Sequence, residues 1–199
     1  MASHRFKQLA AREAALRSQF VVAPRLTPSY SKGELDSLRA YRLLLHAEIE
    51  SYIEDRARWA ATRAIERYKK GRVTLALVGL LAFEDREGMQ LPKLIDTNVS
   101  HLLTRCHKAL NRFEVIVGRN HGLKEENLIK IVVALGISES DLDPLWVTEM
   151  SGFGADRGAV AHSAVKTQQP PDPQIETNRT ASLLLGLADL DALFARTVR

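Results

Sequence analysis

The chain has 199 residues, 45% of them hydrophobic and 26% charged, with only 7 Pro and 11 Gly. That length suits one ordinary domain, and that composition excludes a fully disordered, collagen-like or elastomeric protein. Its net charge of +4 permits a polyanionic partner without requiring one, and its single cysteine, Cys106, excludes an intrachain disulfide or a Cys-rich zinc site.

The pattern is helical along nearly the whole chain, and the fold class expected is all-α. Phe6, Leu9, Leu16 and Phe20 sit near helical spacing, and Pro24 and Pro28 interrupt the chain behind them. Residues 1–30 therefore read as an N-terminal helical arm or short packing helix, separable from the rest, and 31–199 as the main helical domain. The longest helix is predicted from about Glu34 to Lys70, with Leu38, Tyr41, Leu45, Ile49 and Tyr52 stepping by three and four along one face. At 1.5 Å per residue it is about 55 Å long. Gly71 closes it behind Lys69 and Lys70, two cations that suit the negative end of the helix dipole.

Val73 to Phe83 is apolar throughout and reads as a buried helix. Its 11 residues fall far short of the roughly 20 that span a bilayer. No signal-peptide core precedes Phe20, so a cytoplasmic protein with no membrane partner is expected. After a polar loop, an amphipathic helix is predicted from Asn98 to Val117 and a shorter one from Lys124 to Leu135, which Gly136 ends. Asp141 to Pro144 marks another helix start. The helix that follows, Leu145 to Ala164, contains Gly152, Gly154 and Gly158, which predict weakening and a bend near Gly152–Gly154. Residues 167–173, TQQPPDP, read as a linker to a last helix over 175–198.

No HExxH, Cys pair, G-x-G-x-x-G, P-loop or G-x-S-x-G signature occurs, so no metal or cofactor is expected. One constellation remains: Arg157 and His162, five residues apart. On a regular helix that spacing leaves them about 140° out of alignment, so the reach of the Arg side chain or a distortion at Gly158 has to bring them to one target. Arg supplies a permanent bidentate phosphate ligand and His a proton carrier near neutral pH. A surface arginine and a satisfied interface histidine meet the same spacing.

Arg-x4-His late in an all-helical chain resembles the HEPN superfamily, and within it the RiboL-PSP-HEPN branch. The likeness is carried by residues 40–53 (AYRLLLHAEIESYI), by 120–128 (NHGLKEENL) followed by Leu135-Gly136, and by 157–162 (RGAVAH). The resemblance implies an up-and-down helical bundle that forms a homodimer. It implies a metal-independent endoribonuclease of a toxin–antitoxin or phage-defence system, with RNA as substrate and an antitoxin or defence protein as a possible partner. Its site is composite, each protomer supplying one Arg and one His, and its products carry 2′,3′-cyclic phosphate and 5′-hydroxyl ends. Carried over by position, Arg157 clamps the phosphate and His162 moves the proton.

Asp156 and Gly158 flank that Arg as supporting positions, and Glu48 is the acid favoured to orient the pair, ahead of Glu50. Gly158 stands where relatives often carry a polar residue. It leaves a second reading open: a non-catalytic HEPN module for dimerisation, RNA binding or partner binding. Arg119, Asn120 and His121 are weaker candidates for an RNA contact, and a capped turn between two helices explains them as well. His46, Trp59 and Trp146 read as packing residues.

Overall fold

The computed structural model describes residues 2–27, 29–85, 99–162 and 170–199, with side chains described for all of these except 84, 85, 99–101 and 159–162. Seven α-helices and one 3-10 turn account for the regular structure among them: α1 His4–Phe20, α2 Lys32–Lys69, α3 Leu75–Asp85, α4 Val99–Gly118, α5 Glu125–Val133, the turn Glu139–Asp141, α6 Pro144–His162 and α7 Pro173–Thr197. The all-α class is as expected. No helix among the described residues is long and apolar enough to cross a membrane.

The chain divides into two compact units. The first holds Met1–Ile53, Gly122–Glu125 and Leu142–Asp191, and the second holds Glu54–His121, Glu126–Asp141 and Ala192–Arg199. Helices α2 and α7 contribute to both.

In the first unit, the apolar stripe of α2 does what its spacing predicts: Leu38, Tyr41, Leu45, Ile49 and Tyr52 are all fully buried. Leu9 and Leu16 of α1 are buried too, so the segment expected as an arm is stitched into this unit. The stitches are polar. Ser3 caps α1 by accepting from the Phe6 N–H at 3.1 Å, and its own N–H and hydroxyl each donate to the buried Asp191 carboxylate at 2.7 Å. Tyr52 donates to the same carboxylate at 3.0 Å. Nearer the start of α2, Tyr41 donates to Glu13 at 2.8 Å, and its oxygen lies 3.2 Å from the Thr180 hydroxyl. Burial and the Glu13 bond raise the Tyr41 phenol far above its usual range, with burial the larger cause.

Helix α6 lies against α7 through Trp146, whose indole N–H donates to the Leu183 carbonyl at 3.2 Å. Gly186 makes room for that ring, because a Cβ there would stand 2.2 Å from Trp146 Cδ1. The bend expected near Gly152–Gly154 does not interrupt the helix. A Cβ at Gly152 would stand 3.2 Å from the Arg179 guanidinium, and one at Gly154 would stand 3.3 Å from the Leu123 backbone. These glycines admit neighbours to the flank of α6.

The second unit buries Ala57, Ala60, Ala61 and Ala64 of α2 with Leu77 and Leu80 of α3 and Cys106, Ala109, Phe113 and Val117 of α4. Helix α3 starts later than expected. Val73 and Thr74 precede it, and the Thr74 hydroxyl accepts from the Leu77 N–H at 3.3 Å. It is also less buried than its composition implies, since Leu75 and Val78 are exposed. Gly79 and Gly136 bring two backbones together. A Cβ on Gly79 would lie 2.4 Å from Gly136 N, and Gly136 turns with φ near +74°, which only glycine adopts readily.

The Asp191 carboxylate is the most heavily used buried acceptor of the first unit. Asp191→Ala is expected to lower stability by about 3 kcal/mol, since three donors lose their acceptor, and Tyr52→Phe by about 1 kcal/mol. Urea unfolding followed by helical circular dichroism measures both, and equal midpoints for wild type and Asp191→Ala would count against this account.

Candidate functional site

Helix α6 carries Asp156, Arg157 and Gly158 and ends at His162. Asp156 is committed to other cations. Arg179 of α7 holds it at 2.6 Å, and Arg42 of α2 lies 4.0 Å away while pairing in bidentate fashion with the buried Glu176. Arg179 also lies over the Phe153 ring, 5.3 Å from its centroid. The acid next to Arg157 in sequence is therefore neutralised elsewhere. Arg157 itself is half-buried, and among the described residues it has no ion-pair partner.

His46 of α2 belongs to the same neighbourhood. Its ring stacks on Phe153 with centroids 6.0 Å apart and 25° between planes. It is 1% exposed, and its Nδ1 has no hydrogen-bond partner among the described residues. Glu50 Oε2 stands 3.6 Å from that nitrogen, beyond hydrogen-bonding distance. Burial, seconded by the Arg157 charge, lowers the imidazole from its ordinary value of 6.5 to about 4. His46 is thus neutral at pH 7, and Glu50 does not offset the burial.

Glu48 lies elsewhere on α2 and bonds Arg12 of α1 at 3.0 Å; Glu50, not Glu48, is the carboxylate beside His46. A Cβ at Gly158 would meet nothing within 4 Å, so this glycine relieves no crowding. His162 is the last residue of α6, and its side chain lies outside the described residues, as do residues 163–169, which include 167–169 of the expected linker. From Pro170 the chain is described again, and Asp172 caps α7 by accepting from the Ile175 N–H at 2.9 Å.

Arg119 and Asn120 sit in the second unit, at the end of α4. They line a groove of about 280 Å3 with Arg112, Asn127 and Lys130. Asn120 donates through Nδ2 to Glu54 at 3.1 Å; Glu54 and Glu114 both bond Arg58, at 3.3 and 3.1 Å. His121, expected with them, is exposed and is not part of the lining. Sequence reasoning missed Arg112, Asn127 and Lys130. The available signal was the helical register of Arg105, Lys108 and Arg112, which fall within about 60° of one another on α4.

A second basic cluster gathers Arg63, Arg67, Lys70 and Arg72, but Glu66 lies within it and bonds Arg63 at 2.8 Å. Trp146 is a packing residue, whereas Trp59 is 41% exposed with the Arg56 guanidinium 4.1 Å from its ring centroid. Among the described residues, no group of three or more His, Cys, Asp and Glu could hold a metal ion.

Comparison with family models, with curated proteins and with solved structures returned no match.

His46 generates a pH prediction. Its folded-state value lies below the unfolded one, so the unfolded chain takes up a proton that the folded chain refuses as pH falls below 6.5. Between pH 7.5 and pH 5 this residue is expected to cost about 2 kcal/mol of stability. His46→Leu removes that part of the loss while leaving an apolar side chain against Phe153. Urea midpoints at the two pH values test it, and an unchanged acid sensitivity in His46→Leu would refute it.

Proposed function

We propose that this chain is a metal-independent endoribonuclease of the HEPN kind, working as a homodimer in phage defence or as a toxin. The observation that carries the reading is the state of Arg157 within the Arg-x4-His frame. It is a permanent cation on α6, with its sequence-neighbour Asp156 held by Arg179 and Arg42 and no described carboxylate on Arg157 itself. An unneutralised guanidinium beside a neutral imidazole suits a phosphodiester oxygen better than a structural salt bridge.

Cleavage through the ribose 2′-hydroxyl takes a base at that hydroxyl, an acid at the leaving 5′-oxygen and positive charge on the phosphate. Two protomers related by a two-fold axis supply two copies of Arg157 and of His162, which fills all three roles. One His162 removes the 2′ proton, the other protonates the 5′-oxygen, and the two arginines hold the phosphoryl oxygens as charge builds. A 2′,3′-cyclic phosphate and a 5′-hydroxyl result.

The purified protein is expected to cut RNA in excess EDTA. His162→Ala and Arg157→Ala are each expected to lower the rate by at least about 100-fold, within the range of general acid–base and electrostatic contributions, with helical circular dichroism unchanged. Cleavage that vanishes with chelator, or that survives His162→Ala, would sink the reading. RNA that is bound but never cut, across many substrates, would point to the non-catalytic HEPN module, a reading that Gly158 favours.

A further inference from the structure

A charged depression closes α2 in the second unit. Arg63, Glu66, Arg67, Lys70 and Arg72 line about 300 Å3, and each of these described lining residues is charged. Arg63 and Glu66 offset each other through their 2.8 Å bond. The side chains of Arg67, Lys70 and Arg72 have no hydrogen bond or ion pair among the described residues. The lining therefore keeps three unopposed positive charges.

The turn after α2 builds this cluster. The Arg72 N–H donates to the Arg67 carbonyl at 3.0 Å and the Gly71 N–H to the Tyr68 carbonyl at 2.9 Å, while Gly71 takes φ near +75°. This paired cap sets the residue after the glycine beside one a turn earlier, and the contact there is commonly apolar. Here both positions are arginines, Arg72 and Arg67. Arg67 is half-buried, and its Nε is buried without a partner, so a ligand reaches it only through its terminal nitrogens. Lys70 and Arg72 are exposed.

The helix dipole does not account for three such cations. Its negative end is worth about half a charge and fades within the last turn. Lys69 also stands there, and the cap has already taken the Arg67 and Tyr68 carbonyls. Like charges gathered without a counter-charge, one of them partly desolvated, destabilise the free chain and favour a bound anion.

We propose that this depression binds an oligophosphate group, the diphosphate or triphosphate unit of a small molecule. The two guanidiniums hold phosphoryl oxygens and the Lys70 ammonium adds a point charge. The volume stands at the lower limit of ligand pockets, about 300 Å3. The described lining offers no apolar wall for a base or a lipid tail, so the phosphates alone are gripped. A carboxylate carries one charge, so a peptide needs three acidic side chains converging on this depression, whereas an oligophosphate carries about three charges or more on one compact unit. The cations also meet at one helix end, which suits a compact anion better than an extended strand.

Neither Arg157 nor His162 takes part, so the test reads binding and is independent of cleavage. Isothermal titration of the full chain with sodium tripolyphosphate, in EDTA and near-physiological salt, measures the affinity. Arg67→Gln combined with Arg72→Gln is expected to weaken it at least about ten-fold, as loss of two charge-assisted contacts requires. Lys70→Gln, at an exposed position, is expected to weaken it about three-fold on its own. Lys7→Gln with Lys124→Gln removes equal charge elsewhere and is expected to leave it nearly unchanged. Helical circular dichroism confirms that each variant is folded.

ATP distinguishes the sources of the phosphates. Binding at least as tight as tripolyphosphate identifies a nucleotide tail, weaker binding a free oligophosphate, and both support the site. The assignment is overturned if tripolyphosphate does not bind, if citrate binds as tightly, or if neither the Arg67/Arg72 variant nor Lys70→Gln loses affinity. It is overturned equally if the Lys7/Lys124 variant loses as much, or if a single-stranded oligonucleotide binds more tightly per phosphate than tripolyphosphate.

Discussion

Glu13, Glu176 and Asp191 lie in the interior of the first unit, each no more than 5% exposed. A carboxylate so placed is tolerated only when its charge and lone pairs are met. Tyr41 and Arg17 meet Glu13, Arg42 meets Glu176, and Ser3 and Tyr52 meet Asp191. Those requirements hold α1, the first part of α2 and α7 in one register. The same register places Arg42 and Arg179 against Asp156, so that this acid is paired with cations other than its sequence neighbour Arg157.

Much of the helical order was legible from periodicity. The α2 stripe from Leu38 to Tyr52 is buried as its spacing requires, and Gly71 and Gly136 take positive φ after α2 and α5. What periodicity does not carry is polar pairing between residues far apart in sequence. Glu13 sits on a helix that reads as separable, and its bond to Tyr41, with the Ser3 bonds to Asp191, makes that helix integral to its unit. Glycine is ambiguous for the same reason. Gly152 and Gly154 predict a weakened helix from local propensity, yet α6 runs through both, and the close approach of Arg179 and of the Leu123 backbone gives each a packing reason.

The candidate sites were legible to different degrees. Arg157 is conspicuous as half of a motif, whereas His46 was not, because what sets it apart is the burial beside Phe153 that a sequence does not display. Arg119 and Asn120 stood out as a turn, but Lys130 and Asn127 come from the next helix, and no spacing rule joins them to the turn. The modest net charge concealed this groove. Twenty-eight cations against twenty-four acids average to little, while no acid is among the described residues that line this groove.

Cys106, the only cysteine, faces inward from α4 and is 2% exposed. Its thiol is therefore shielded from oxidants and alkylating reagents for as long as the helix stays seated. A reagent in solution meets it only when α4 lifts from its neighbours, so the rate of modification counts those openings. The helix that carries the cationic stripe on its outer face thus has a natural clock on its inner one. Whatever settles on the outer face and steadies the helix should slow that clock, with no label added to the chain.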